Sequence, residues 1–195
     1  MGTKHRYQLS CEIDEKGHRF VLTSNGKLAF GAIKSETSLT PGPIFLSHGC
    51  ITNPETNDGY GLVHIVARHG KEIHNAGYNS VMEFIEEVAN NYKIIREGNK
   101  RNGNKTYMLQ FTKKHNHTLI IELSGDGCYW NINTAGIFKT TYGAKRNVVY
   151  NRHTTAKQSA ETVEVSQSEE QMRHYFTNQH EHLYTTIIHY FCRQR

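Results

Sequence analysis

Apolar residues fall at every second position over residues 7–13, where Tyr7, Leu9, Cys11 and Ile13 share one side. This alternation predicts a strand. Asp14-Glu15-Lys16-Gly17 reads as a turn and residues 19–23 as the returning strand of a hairpin. Short apolar groups follow at 28–33 and 44–46, separated by a loop at 35–43 with Ser, Thr, Pro and Gly. A second loop, 49–59, closes on Asn57-Asp58-Gly59. There the period changes from two to that of a helix. Residues 58–70 read as a short helix with Asp58 as N-cap and Gly70 as the C′ residue that ends it. The next helix has a stronger signature. Ser80-Val81-Met82-Glu83 is a capping box, and Val81, Phe84, Ile85 and Val88 fall at i, i+3, i+4 and i+7, with an end near Asn90-Asn91.

Alternation then returns. Residues 93–96 form a short strand. Over 105–113, Tyr107, Leu109 and Phe111 lie on one face, and Thr106, Met108, Gln110 and Thr112 on the other. Leu119, Ile121 and Leu123 mark the following strand, and Ser124-Gly125-Asp126-Gly127 the hairpin turn after it. Residues 128–134 alternate again, with Cys128, Trp130 and Ile132 towards the helices and Tyr129, Asn131 and Asn133 away from them. A polar, basic stretch leads to Val148-Val149-Tyr150, a last short strand. Residues 151–165 read as a linker. Ser166-Gln167-Ser168-Glu169 is a second capping box, opening a long amphipathic helix through Met172, Tyr175, Phe176, Leu183, Ile187 and Phe191. That helix either caps the sheet, the favoured reading, or docks against another chain or a larger host polypeptide. The fold class is α+β, helices packed on an antiparallel β-sheet. An N-terminal β-hairpin extension covers 1–26, the main domain 27–150, and the linker and C-terminal helix 151–195.

Composition narrows the function classes. At 36% hydrophobic residues with no long apolar run, neither a membrane span nor a secretory leader is expected. The four cysteines are far apart and no pair has CxxC spacing. This argues against a disulfide framework or a zinc site and for a reducing, cytoplasmic setting. The 13 histidines are scattered, without a local metal-binding spacing, so neither a metal nor another cofactor is expected. Charge is more informative. Residues 93–157 hold 12 Lys and Arg against 3 Asp and Glu, while the segments on either side each carry a net charge of −2. A basic middle interleaved with aromatic and polar strand positions suits a polyanion, with phosphate the default.

On the first helix His64 and Arg68 lie one turn apart, in line with Gly61 and Lys71. Imidazole beside guanidinium can move a proton and hold a phosphate. A solvated helix face is the alternative. His69 falls at the end of the apolar stripe of Leu62 and Ile65, so periodicity makes it a core histidine or a C-terminal cap. There is no GxSxG elbow, Walker A loop or GxGxxG, and the basic segment has only Glu97, Glu122 and Asp126 as acids. Nucleic-acid cleavage here is therefore expected to proceed without metal. That requires the ribose 2′-hydroxyl as nucleophile and makes RNA the substrate.

Gly59-Tyr60-Gly61-Leu62-Val63-His64-Ile65-Val66-Ala67-Arg68-His69-Gly70, with Gly77-Tyr78-Asn79-Ser80 beyond it, resembles the core of the phage-associated barnase–EndoU–colicin–RelE-like nuclease domains. The likeness extends from about Lys27 to about Tyr150 and includes Tyr129-Trp130-Asn131-Ile132-Asn133-Thr134-Ala135. It implies a barnase/EndoU/RelE-like α+β fold and metal-independent endoribonuclease activity, often in toxins or in phage and mobile-element proteins. It also brings His69 into the site beside His64 and Arg68, against the periodicity. On the sheet it points to Tyr129 and Thr134 as catalytic, and to Asn131, Lys139, Thr140 and Tyr142, with Lys71, Lys145 and Arg146, as RNA contacts. The partners it implies are RNA (tRNA among the forms) and an antitoxin or immunity protein. The alternative is a binding module of the same fold, for RNA or protein, that has lost catalysis.

Overall fold

The computed structural model describes residues 11–13 and 18–152 of the 195-residue chain. The linker and helix expected beyond Arg152 lie outside the described residues, as does the start of the first strand. The elements are β1 (Cys11–Ile13), β2 (Arg19–Val21), β3 (Gly31–Ile33), β4 (Gly42–Leu46), β5 (Cys50–Asn53) and β6 (Asp58–Tyr60). Helices α1 (Gly61–Asn75) and α2 (Val81–Asn91) follow, then β7 (Ile94–Glu97), β8 (Thr106–Thr112), β9 (Asn116–Leu123), β10 (Trp130–Phe138) and β11 (Val148–Asn151). Seven strands form one sheet in the order β11-β7-β8-β9-β10-β4-β3. Every pairing in it is antiparallel except β10 with β4. β1–β2 and β5–β6 are separate antiparallel hairpins. The fold is α+β, as the alternation and the two helical stretches predict. The segment expected as a loop before α1 is instead the β5–β6 hairpin.

The core lies between the helices and one face of the sheet. Ile65 and Ile73 of α1 and Phe84, Ile85 and Val88 of α2 are buried with Ile44, Leu46, Leu109, Leu119, Ile121, Trp130, Ile132 and Ala135. Each large side chain so buried stabilises by roughly 1.5–3 kcal/mol. Val21 of β2 joins the same core. The more polar face of β8 is also covered. Thr106, Met108 and Gln110 are buried: the Thr106 hydroxyl donates to the Asn99 carbonyl, and the chain after β10 folds back over Met108 and Gln110. Gln110 Nε2 donates to the Tyr142 carbonyl at 3.4 Å, and Arg96 Nη1 to the Arg146 carbonyl at 3.2 Å.

The two helices begin differently. At α2 the Ser80 hydroxyl accepts from the Glu83 amide at 3.1 Å, as the capping box predicts. The Glu83 carboxylate binds the Asn79 amide rather than that of Ser80. Helix α1 corrects the expectation at both ends. Its N-cap is Tyr60, with no side-chain cap, and Asp58 belongs to β6. The first free amides are met by backbone. Leu62 donates to the Ser47 carbonyl and Val63 to the His48 carbonyl, each at 3.0 Å. This junction needs glycine at 61: its φ is +70°, and a Cβ there would stand 2.5 Å from the Ser47 carbonyl oxygen. Helix α1 also runs through Gly70 to Asn75. A mid-helix glycine costs only about 1 kcal/mol, and the buried stripe of Leu62, Ile65 and Ile73 outweighs it.

Candidate active site

The site forms where α1 lies along the second half of β10, and one irregularity creates it. β10 pairs with β9 in regular register up to Ile132↔Ile121, then resumes at Thr134↔Ile120, so Asn133 is an extra residue. A bulge of this kind reverses which side of the strand each later residue faces. Before it, Trp130 and Ile132 enter the core; after it, Ala135 and Ile137 do. Thr134, Gly136 and Phe138 turn instead towards α1, where His64, His69 and Glu72 meet them. Asn133 itself is 3% exposed, and among the described residues its Nδ2 has no hydrogen-bond partner.

His64 is the buried histidine, at 5% exposure. Its Nδ1 lies 2.7 Å from the Asn57 carbonyl oxygen and its Nε2 3.0 Å from the Thr134 hydroxyl. A carbonyl only accepts, so Nδ1 carries the proton and Nε2 accepts from Thr134. Asn57 presents that carbonyl from the left-handed region, at φ 54° in the turn between β5 and β6. Asparagine tolerates that conformation better than most residues. Burial holds the His64 ring below the usual histidine range. The Asn57 bond opposes this, while His69, Arg68 and Arg101 add to it. Burial therefore favours the neutral imidazole, with its basic nitrogen on a hydroxyl.

His69 is not a sealed core residue. Its Nδ1 lies 2.7 Å from Glu72 Oε1, one turn further on, and its ring stands 5.9 Å from that of His64, edge to face. Five residues of helix separate the two by roughly 140°, yet both lean into the gap beside β10. Glu72 Oε1 also accepts from the Ile137 amide at 3.2 Å, which ties the helix to the strand. A Cβ on Gly136 would stand 2.8 Å from Glu72 Oε1 and 2.9 Å from His69 Nδ1. A side chain at 136 would therefore require His69 and Glu72 to shift from these positions.

The cations are arranged otherwise than the spacing suggests. Arg68 is one turn from His64, but its Nη1 donates to Asp58 Oδ1 in an exposed ion pair. The Thr56 hydroxyl, and after it Arg68, hold the Asp58 carboxyl below its usual range. Arg101 was not singled out by the sequence. It donates to the Gly59 carbonyl at 3.1 Å, lies 5.8 Å from the Tyr60 ring and is close enough to act on the charge of His64. Lys71 is exposed on α1.

The structure thus brings together His64, His69 and Thr134 among the expected catalytic residues. Tyr129 stands five residues before Thr134, roughly 16 Å at strand rise. It stacks on Phe45 at 5.0 Å and meets Phe20 edge-on. Asn131 accepts from the Ser47 hydroxyl at 2.6 Å, next to the start of α1. Lys139 and Thr140 follow Phe138 in an exposed turn, and Tyr142 stacks on Phe138 at 4.2 Å. Lys145 is exposed, and Arg146 Nη2 donates to Asn99 Oδ1 at 2.6 Å. Sequence reasoning missed Glu72, Gly136, Asn57, Phe138 and Arg101. Ending the helix at Gly70 hid Glu72; continued, it would have shown His69 and Glu72 as an i, i+3 pair. Among the described residues no three His, Cys, Asp or Glu side chains converge in a way that could hold a metal ion, and no helix is long and apolar enough to cross a membrane.

Residues 35–134 match the family model described as phage-Barnase-EndoU-ColicinE5/D-RelE like nuclease1. A comparison with curated proteins and one with solved structures found no match. The matched span covers half of the chain, contains α1 entire and ends on Thr134, the residue that His64 binds. This protein belongs to the phage barnase–EndoU–colicin–RelE-like nuclease family.

Proposed function

We propose that the α1–β10 site is a metal-independent endoribonuclease centre. The ribose 2′-oxygen attacks the adjacent phosphorus and its proton passes to Nε2 of His64. The P–O5′ bond breaks, and the 5′-oxygen takes a proton from Nε2 of His69. The products are a 2′,3′-cyclic phosphate and a free 5′-hydroxyl. The observation that carries this reading is the paired imidazoles 5.9 Å apart, one buried with its Nε2 on a hydroxyl and the other backed by Glu72. An acid and a base on two sides of one phosphate is what the reaction needs. The Glu72 carboxylate on Nδ1 fixes the His69 ring so that Nε2 faces the substrate, and stabilises the imidazolium that gives up this proton. The substrate 2′-hydroxyl takes the place of Thr134 on His64. Arg101 and Arg68 supply positive charge for the phosphorane. A toxin role, with an immunity protein as partner, fits such an activity.

The second reading is a binding module without turnover. Two observations favour it: both nitrogens of His64 are already satisfied, and Arg68 is neutralised by Asp58. Incubating the purified chain with total RNA in EDTA separates the two. The catalytic reading expects fragments with 2′,3′-cyclic phosphate ends, intact DNA, and rates on the order of 10²–10⁴-fold lower for His64→Ala and for His69→Ala. Salt-sensitive RNA binding without cleavage would favour the module instead. Undiminished cleavage by both variants would overturn the assignment of the histidines.

A further inference from the structure

Beyond the histidines, the site continues as a line of rings. The His69 ring lies 5.9 Å from Phe138, and Phe138 lies 4.2 Å from Tyr142 with planes 15° apart. Phe138 is the last residue of β10, turned to this side by the bulge. Tyr142 covers one of its faces and stays 38% exposed. Two stacked aromatic rings at the surface lose apolar burial that a core position would give them.

The turn that carries them is firmly held. Its polypeptide folds as a tight turn, the Tyr142 amide donating to the Lys139 carbonyl at 2.8 Å. Gln110 Nε2 binds the Tyr142 carbonyl, and Asn116 Nδ2 the Thr140 carbonyl at 3.0 Å. Gly143 holds the left-handed backbone of the turn, φ +73°, which a side chain would strain. The aromatic pair is therefore pre-organised, and Lys139 sits exposed beside it.

We infer that Phe138 and Tyr142 form a stacking platform for a nucleobase next to the scissile phosphate, with Lys139 on the neighbouring phosphate. This rests on the reading of the histidines as a phosphate-cleaving pair. The order of the rings puts the phosphate at His64 and His69 and the base of the flanking nucleotide on the open face of Tyr142. Stacking of this kind tolerates any base and favours the larger ring of a purine. It serves binding and orientation and takes no part in proton transfer.

The test uses the full chain and two probes: a cleavable single-stranded oligoadenylate, and the same oligomer with 2′-O-methyl ribose, which lacks the nucleophile. Tyr142→Ala is expected to raise KM for the first and Kd for the second by about tenfold. The kcat should change far less, and Tyr142→Phe should restore most of the loss, because the ring and not the hydroxyl stacks. An oligouridylate should show a smaller effect of Tyr142→Ala. If the 2′-O-methyl oligomer binds through Tyr142 but RNA is not cut, the platform stands and the catalytic reading falls. If RNA is cut and neither KM nor Kd responds to Tyr142→Ala, the platform is overturned. A parent protein that binds neither oligomer overturns both.

Discussion

His64 and His117 are both 5% exposed, and burial holds both rings below the usual histidine range. Their surroundings differ in kind. His117, at the start of β9, is enclosed by Phe84, Phe111 and Tyr78, with ring distances from 5.5 to 6.3 Å. Its Nδ1 lies 3.0 Å from the Tyr78 hydroxyl, which donates to Glu87 while Lys113 Nζ closes the set on Glu87 at 2.6 Å. Burial first, and the bond to Glu87 next, push the Tyr78 phenol up to about 12. Burial also pushes the Glu87 carboxyl up, but bonds from Lys113 and Tyr78 outweigh it and hold the group low. Positive, negative and neutral groups there satisfy one another and join α2 to the β8–β9 hairpin.

At His64 the partners are a carbonyl and a hydroxyl, and the neighbours are His69, Glu72 and two arginines. The His69–Glu72 pair does not close on itself: among the described residues His69 Nε2 has no hydrogen-bond partner. Burial and a depressed proton affinity are common to both rings and so do not by themselves mark a site. What separates these two is their company: His117 stands among aromatic rings beside an ion pair, while His64 stands beside a second histidine and under the influence of two arginines.

The largest expected effect contrasts the two histidines directly. His64→Gln should lower RNA cleavage on the order of 10²–10⁴-fold with little change in folding. His117→Gln should do the reverse, lowering the melting temperature while the folded protein still cuts. Single-turnover assays on labelled RNA beside thermal melts would read both. Equal loss of activity in the two would break the distinction.

Gly136→Ala comes next. The added methyl must displace Glu72 or His69, so a loss of about 1–3 kcal/mol is expected from overpacking. A fall in cleavage on the order of 10²-fold should accompany it as the imidazole shifts. Denaturant titration and the same kinetic assay apply, and an unaffected rate would show that the His69–Glu72 pair is not needed. Tyr78→Phe probes the other region. It removes the hydroxyl from Glu87, His117 and Lys113, and should cost about 1–3 kcal/mol in a denaturant titration. Cleavage by the folded variant should stay at the parent rate; a large fall would connect the two networks.

The smallest effect is in pH. Both His64 and His117 bind a proton less readily in the folded protein than in the unfolded chain. As pH falls below about 6.5 the unfolded chain takes up protons first, so stability is full above that value and is lost as pH falls through the folded values. Melting temperatures measured from about pH 7 to about pH 5 should decline, less steeply in His117→Gln than in the parent. A flat profile in the parent would mean that neither ring titrates on unfolding.

How much of this was legible in the sequence depends on the range of the force involved. Local apolar patterns placed β4, α2 and the strands from β7 to β11 within a few residues, with a local cap at Ser80, and marked residues 28–33, where β3 lies, only as a short apolar element. Helix α1 was legible as a helix but not in its ends. Its amides are capped by Ser47 and His48, which are remote from any local cap motif, and its C-terminal half is held by burial of Ile73. Residue types in the G-L-x-H-I-x-x-R-H run pointed to the family, and the match over 35–134 bears that out.

The sequence by itself determined the α+β class, the amphipathic α2, the basic middle of the chain and the presence of His64 and His69 on one helix. These follow from side-chain type and spacing, which act within a few residues. Only the tertiary structure decided that the two histidines meet. Helical geometry alone turns them apart and sends His69 to the core. One extra residue at Asn133 changes the parity of β10, so that Thr134, Gly136 and Phe138 face the helix while Ala135 stays buried. The absence of a side chain at Gly136 then lets α1 come close enough for Glu72 to bind both His69 and the strand. A bulge and a close approach are properties of pairs of elements, and no periodicity within either element records them.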